Sequence, residues 1–223
     1  MESAKRRKGR SGSRRSSART HAEALLLAGD APETRALAAA LSAEWRAAPA
    51  SLDALEEWRA RESAGATCAR VVVAMPAREP AGALRETDAG AWFARAEEPI
   101  ARWAFALGVA AARCADGGAI VAVVDRPAPL DCAGFAPEAA VADAACALVR
   151  SLARSEGARG VRVNAIVTSA RLAPSQPIAP APALASFPGT YEQEVAGAVR
   201  LLLAADASGV TGQALAADCG RSW

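Results

Sequence analysis

A chain of 223 residues with 52% apolar content suits one domain of ordinary size with a substantial core. Net charge is +2, unevenly spread: residues 1–20 hold eight of the 26 Lys/Arg against Glu2 alone, leaving 18 basic residues against 23 acids in residues 21–223. This mildly acidic body argues against a nucleic-acid-binding domain, which needs a concentrated basic face, so only the tail is left as a polyanion binder.

The first segment, MESAKRRKGRSGSRRSSART (1–20), has no apolar run and reads as a disordered basic tail, not a signal peptide or a membrane span. An organelle-targeting segment and a nuclear or nucleic-acid patch at Lys5-Arg6-Arg7-Lys8 are its alternatives. Charges or prolines interrupt every later apolar segment before the roughly 18 residues that a transmembrane helix needs. The expectation is a soluble, cytoplasmic protein with no membrane partner.

Residues 21–223 are expected to form a single domain in which short apolar runs alternate with alanine-rich amphipathic segments. EALLLAG (23–29) predicts a strand and PETRALAAALSAEWRAA (32–48) a helix opened by Pro32. A second helix is predicted from Leu52 to Glu62, and ARVVVAM (69–75) reads as a buried strand. The stretch from Trp92 to Cys114 is helical, with Pro99 early in it or at its true start. GAIVAVVD (118–125) is a strand, Pro137 to Ser155 a helix and GVRVNAIV (160–167) a strand; Tyr191 to Ala205 is a helix and QALAAD (213–218) a last short strand. Such alternation gives the α/β class, a parallel sheet covered on both faces.

Five widely spaced cysteines, Cys68, Cys114, Cys132, Cys146 and Cys219, include no CxxC pair and read as small buried apolar residues in a reducing compartment. The single histidine, His21, sits at the edge of the tail, so no Ser-His-Asp or Cys-His constellation and no histidine-rich metal site is expected.

Two segments carry a specific resemblance. ARSEGARGVRVNAI (153–166) and VTGQALAADCG (210–220) resemble the closing half of the short-chain dehydrogenase/reductase family, in which a helix leads into R-G-(I/V)-R-V-N and the chain ends in V-T-G-Q-x-L-x-V-D-G-G. With GGAIVAVVD (117–125) the resemblance runs from about Val71 to Trp223 and extends weakly back to the first strand. It implies a Rossmann-like doubly wound sheet and an NAD(P)-dependent oxidoreductase ancestry.

Carried over position by position, the family's catalytic set is vacant. The chain has one tyrosine, Tyr191, and two lysines, Lys5 and Lys8, so no Tyr-x-x-x-Lys pair exists. Counting back from Arg162-Val163-Asn164, the family tyrosine falls on Glu138 and its lysine on Ala142; the serine falls at or beside Asp125 and the helical asparagine near Pro99. An ionised aspartate cannot donate a hydrogen bond to a carbonyl. Asp125, Asp131 and Glu138 are carboxylates that could meet near that site, although carboxylates without a recognised pocket read more simply as solvated surface. Tyr191 is not assigned to catalysis.

The cofactor turn departs as well. A dinucleotide site needs glycines between the first strand and helix so that backbone can approach the pyrophosphate. Here Ala28-Gly29-Asp30-Ala31-Pro32-Glu33 keeps one glycine, a vestige, and sets two carboxylates where phosphates would lie, a turn capped by the protein itself. Only about forty residues separate Gly29 from the Val71 strand, so the family's second and third strands are expected to be missing, leaving about five. Ala74-Met75-Pro76-Ala77 replaces the family's N-N-A-G, and Thr168-Ser169 its P-G.

What the resemblance retains serves oligomers: the helices near 98–114 and 137–155 and the last strand carry subunit interfaces in the family. Ala139, Ala140, Ala144, Ala145, Cys146 and Ala147 make the second helix small on most sides, as if both faces were covered, and Trp223 fits an interface anchor. The proline-rich stretch 170–189 stands where the family has its substrate lid; Pro174, Pro177, Pro180, Pro182 and Pro188 favour an extended loop.

The expected protein is a catalytically impaired, shortened family member that binds no cofactor and no metal and pairs with itself or with an intact relative. The alternative is an NAD(P)-dependent oxidoreductase using the same cleft, by Asp125 and Glu138 if the chemistry is altered. A third class is a tail-driven nucleic-acid or targeting module.

Overall fold

The computed structural model describes residues 24–77, 81–172 and 184–221. The basic tail, His21, Pro174, Pro177, Pro180, Pro182 and Trp223 lie outside the described residues, and with them the readings placed there.

Strand formation follows the apolar runs. β1 (Ala24–Ala28) is buried along its whole length, β3 (Cys68–Ala74) carries Val71-Val72-Val73 with no exposure, and β4 (Cys114–Asp125) and β5 (Arg162–Thr168) complete the centre. β-Branched residues fit a pleated surface covered on both sides. β2 (Ala43–Ala47) and β6 (Ala214–Ala216) close the two edges, and all six strands run parallel in the order β2-β1-β3-β4-β5-β6.

Two helices, α1 (Pro32–Ala40) and α6 (Ala196–Leu203), cover one face; α2 (Leu55–Ser63), α4 (Glu98–Arg113) and α5 (Ala136–Ser155) cover the other. Leu37, Val199 and Leu202 fill the first layer, and Trp58, Trp103, Ala142, Ala145 and Val149 the second. A short helix α3 (Ala89–Trp92) and a π-helical turn, Phe93–Glu97, run straight into α4, so Pro99 lies in the first turn of α4 inside a longer helical stretch. Among the described residues no helix is long and apolar enough to cross a membrane.

One expectation needs correction. The predicted helix over 32–48 is two elements: α1 ends at Ala40 with Leu41 as its C-cap, Ser42 takes a left-handed φ of 50°, and the chain turns directly into β2, paired in register with β1 from Ala24↔Ala43 to Ala28↔Ala47. The strand next to β1 is therefore present, and among the described residues the sheet has six strands, not five. Only a further strand outside β2 has no counterpart among the described residues. AEWRA gave no strand signal because it is an edge: Glu44 and Arg46 are exposed, and its alanines and Trp45 continue the helical periodicity of α1.

The two segments that carried the resemblance meet in space. Asn164 Nδ2 donates to the Val210 carbonyl at 2.8 Å while its Oδ1 accepts from Gln213 N–H at 3.0 Å. Thr211 Oγ1 accepts from Val163 N–H, and Arg162 donates to the Leu202 and Ala204 carbonyls at the end of α6. R-V-N thus pins α6 and the approach to β6, because buried polar groups and helix-terminal carbonyls need partners.

Candidate functional site

Strand order reverses between β1 and β3, and the carboxyl ends of the strands there form the crevice in which open α/β sheets bind ligands. A cavity of about 200 Å³ opens at that point, with Met75 and Pro76 from the end of β3, Arg95 and Arg102 from the π turn and α4, Asp125 from the end of β4 and Glu138 from α5. It is smaller than the roughly 300–1,000 Å³ of ordinary cofactor and drug-sized pockets.

Asp125 and Glu138 both line this cavity, and each is tied up by its own protein. Glu138 is 4% exposed and receives Arg95 through Nε at 3.0 Å and Nη2 at 2.9 Å to both carboxylate oxygens. Asp125, 5% exposed, accepts at Oδ2 from Ala77 N–H (2.9 Å) and Arg171 Nη1 (3.3 Å), and at Oδ1 from the Tyr191 hydroxyl (2.5 Å). Burial raises the Asp125 carboxyl above its ordinary range, against the lowering influence of the Arg171 charge and of the hydrogen bonds from Tyr191 and Ala77. Burial and the Asp125 charge together hold the Tyr191 phenol well above its usual value.

Asp131 does not join them. It lies 2.7 Å from Arg221 Nε and 2.8 Å from Nη2, in a fully buried pair that holds the C-terminal segment to the turn after β4. The expectation that these carboxylates are solvated surface is wrong for all three, since each is buried against an arginine. Ala142, where the resemblance led one to expect the lysine position, has no exposure and packs in the core.

The first turn is filled by the protein's own groups. A Cβ on Gly29 would meet Pro76 Cδ at 3.1 Å and Arg102 Nη2 at 3.4 Å, so the close approach that glycine permits is used by these two side chains. Arg171 reaches from the end of β5 to Glu33 at 3.4 Å on one side and to Asp125 on the other. Glu33, Arg171, Asp125 and Tyr191 form a ladder that crosses the mouth of the sheet from α1 to β4. The turn is not capped by its carboxylates, however: Ala31 is the N-cap with no side-chain bond, Asp30 pairs with Arg35, and Thr34 Oγ1 sits 2.9 and 2.8 Å from the Gly29 and Ala31 carbonyls. Pro32 offers no N–H, and the Thr34 and Arg35 amides point at Ala31 O, so the α1 terminus presents few donors to an anion. These residues do not fit a dinucleotide pyrophosphate.

Among the described residues, no group of three or more His, Cys, Asp or Glu is arranged to hold a metal ion. Cys114, Cys146 and Cys219 are buried as expected, whereas Cys68 is half-buried and Cys132 exposed. Burial pushes the Cys114 thiol up to about 11, far from a reactive thiolate.

The sequence by itself matches no family model and no curated protein. The fold is doubly wound α/β, and solved short-chain dehydrogenases/reductases align with it over most of its length. A short-chain dehydrogenase/reductase from Serratia marcescens aligns over 90% of this chain and 97% of its own, with a TM-score of 0.66 at 20% identity. A short-chain dehydrogenase from Burkholderia cenocepacia in complex with NADP aligns over 90% and 87%, with 0.67 at 21%. A blue fluorescent protein from a metagenomic library in complex with NADPH aligns over 89% and 87%, with 0.61 at 22%. The chain therefore has the short-chain dehydrogenase/reductase fold.

Sequence reasoning found Asp125 and Glu138 but missed Arg95, Arg171 and the part played by Tyr191. Their partners are 43, 46 and 66 residues away along the chain. An arginine count well above the lysine count was the available hint, because guanidinium is the usual partner of a buried carboxylate.

Proposed function

We propose that this chain is a shortened, degenerate short-chain dehydrogenase-like subunit that carries out no hydride transfer and acts by pairing with itself or with an intact relative. The Glu33-Arg171-Asp125-Tyr191 ladder carries this reading. It occupies the mouth of the sheet with Asp125 at its centre, held by Arg171, Tyr191 and Ala77, and a ligand entering there would have to break these hydrogen bonds at about 1–3 kcal/mol each. The proton-transfer pair is replaced by Glu138, locked by Arg95, and by the buried Ala142. Small side chains at Ala139, Ala140, Ala144 and Ala147, half-buried or exposed on α5, leave room for a neighbouring helix. A cytoplasmic location completes the reading.

Thermal-shift and calorimetric titrations with NAD(H) and NADP(H) test it. No shift and no heat of binding are expected, together with co-purification of a second copy or of a relative; saturable micromolar binding would overturn it. An NAD(P)-dependent oxidoreductase is the second reading, favoured by the cavity at the strand-order reversal and by the nucleotides named with the Burkholderia and metagenomic neighbours.

A further inference from the structure

We infer that β2 is a self-pairing edge: two copies of this chain meet antiparallel through Ala43–Ala47, about a two-fold axis at Trp45. This rests on the self-pairing part of the proposed function and on nothing concerning the cofactor. β2 is the terminal strand of the sheet, with no described strand on its outer side. An edge of this kind is a ready template for another strand.

The direction of the backbone groups follows from the register. Ala48 N–H donates to the Ala28 carbonyl at 2.8 Å, and Ala28 is paired with Ala47. In a strand, N–H and C=O of one residue point to the same side and alternate along the chain. Glu44 and Arg46 therefore direct their backbone groups inward to β1, while Ala43, Trp45 and Ala47 direct theirs outward. An antiparallel copy centred on Trp45 makes Trp45–Trp45 and both Ala43–Ala47 pairs hydrogen-bonded, about six bonds in all.

The side chains fit the same axis. Glu44 falls opposite the partner's Arg46 and Arg46 opposite the partner's Glu44, both as non-hydrogen-bonded pairs, whose Cα atoms approach to about 4.5 Å and whose side chains lie closest. Glu44 and Arg46 already form an ion pair within the strand and are about half exposed, at 47% and 49%. Pairing turns that ion pair into a ring of four alternating charges. On the opposite face the two Trp45 rings meet, each already stacked by Arg35 at 4.1 Å from its centroid. Edge charges usually repel a second copy; here the order Glu-Trp-Arg makes them complementary to themselves. A five-residue edge gives a small interface, so the dimer is weak and concentration-dependent.

Sedimentation velocity on the full chain over a concentration series reads the outcome. Wild type should show a reversible monomer–dimer equilibrium. Glu44→Arg and Arg46→Glu alone, each placing like charges in both facing pairs, should weaken it by about tenfold or more. Mixing the two variants, or combining both changes in one chain, should restore it. Circular dichroism of the exposed-site variants checks that they fold. A dimer insensitive to either charge would overturn this surface while leaving self-association by the helices standing. A wild type that stays monomeric at the highest concentration, or charge variants that fail to rescue each other, would overturn it as well.

Discussion

Removing the Tyr191 hydroxyl asks whether the chain's one tyrosine is a structural clasp. Tyr191 is 2% exposed and donates at 2.5 Å to Oδ1 of Asp125, whose other oxygen is held by Ala77 and Arg171. Tyr191→Phe keeps the ring and leaves a buried carboxylate oxygen without its donor, at a cost of about 1–3 kcal/mol. For a domain of this size that is a fall in Tm of about 2–12 °C. The pH dependence has a definite sign. Burial raises the folded-state pKa of Asp125 above its ordinary 3.8, so the stability contributed by this group is full below that value and is lost as pH rises through the folded pKa. The Tyr191 bond favours the ionised form, so its loss raises the folded pKa further, and the deficit of Tyr191→Phe should be small in acid and grow toward neutral pH. Calorimetric melts of both proteins over an acid-to-neutral series measure it. A deficit below about 1 °C at neutral pH, or one unchanged by acid, would refute the account.

Arg95→Met should leave Glu138 buried without its guanidinium and lower stability by about 3 kcal/mol, while Arg95→Met/Glu138→Leu recovers most of it; a double variant whose loss equals the sum of the losses of Arg95→Met and Glu138→Leu would show that the pair is not coupled. Deleting residues 1–20 removes eight basic residues and takes the chain from +2 to a net −5, so retention on heparin should vanish with the melting temperature of the body unchanged. Retention that survives the deletion would place a basic face on the body itself.

The sequence determined the layers. Runs such as Leu25-Leu26-Leu27 and Val71-Val72-Val73 are too continuous for a one-sided surface and alternate with helical periods, and burial in a parallel sheet is what such runs permit. R-V-N and V-T-G-Q were legible as motifs, and the structure supplies their cause in the Asn164 and Arg162 bonds that tie β5 to β6 and α6. Local sequence also singled out Asp125 and Glu138, which the structure brings to one cavity. It could not find β2, whose edge position relaxes the demand for apolar alternation and whose start is set by the left-handed backbone of Ser42. Nor could it join Tyr191 and Arg171 to Asp125 or Arg95 to Glu138: carboxylates look the same in sequence whether solvated or buried, and only tertiary packing, by removing water, decides which arginine each must find.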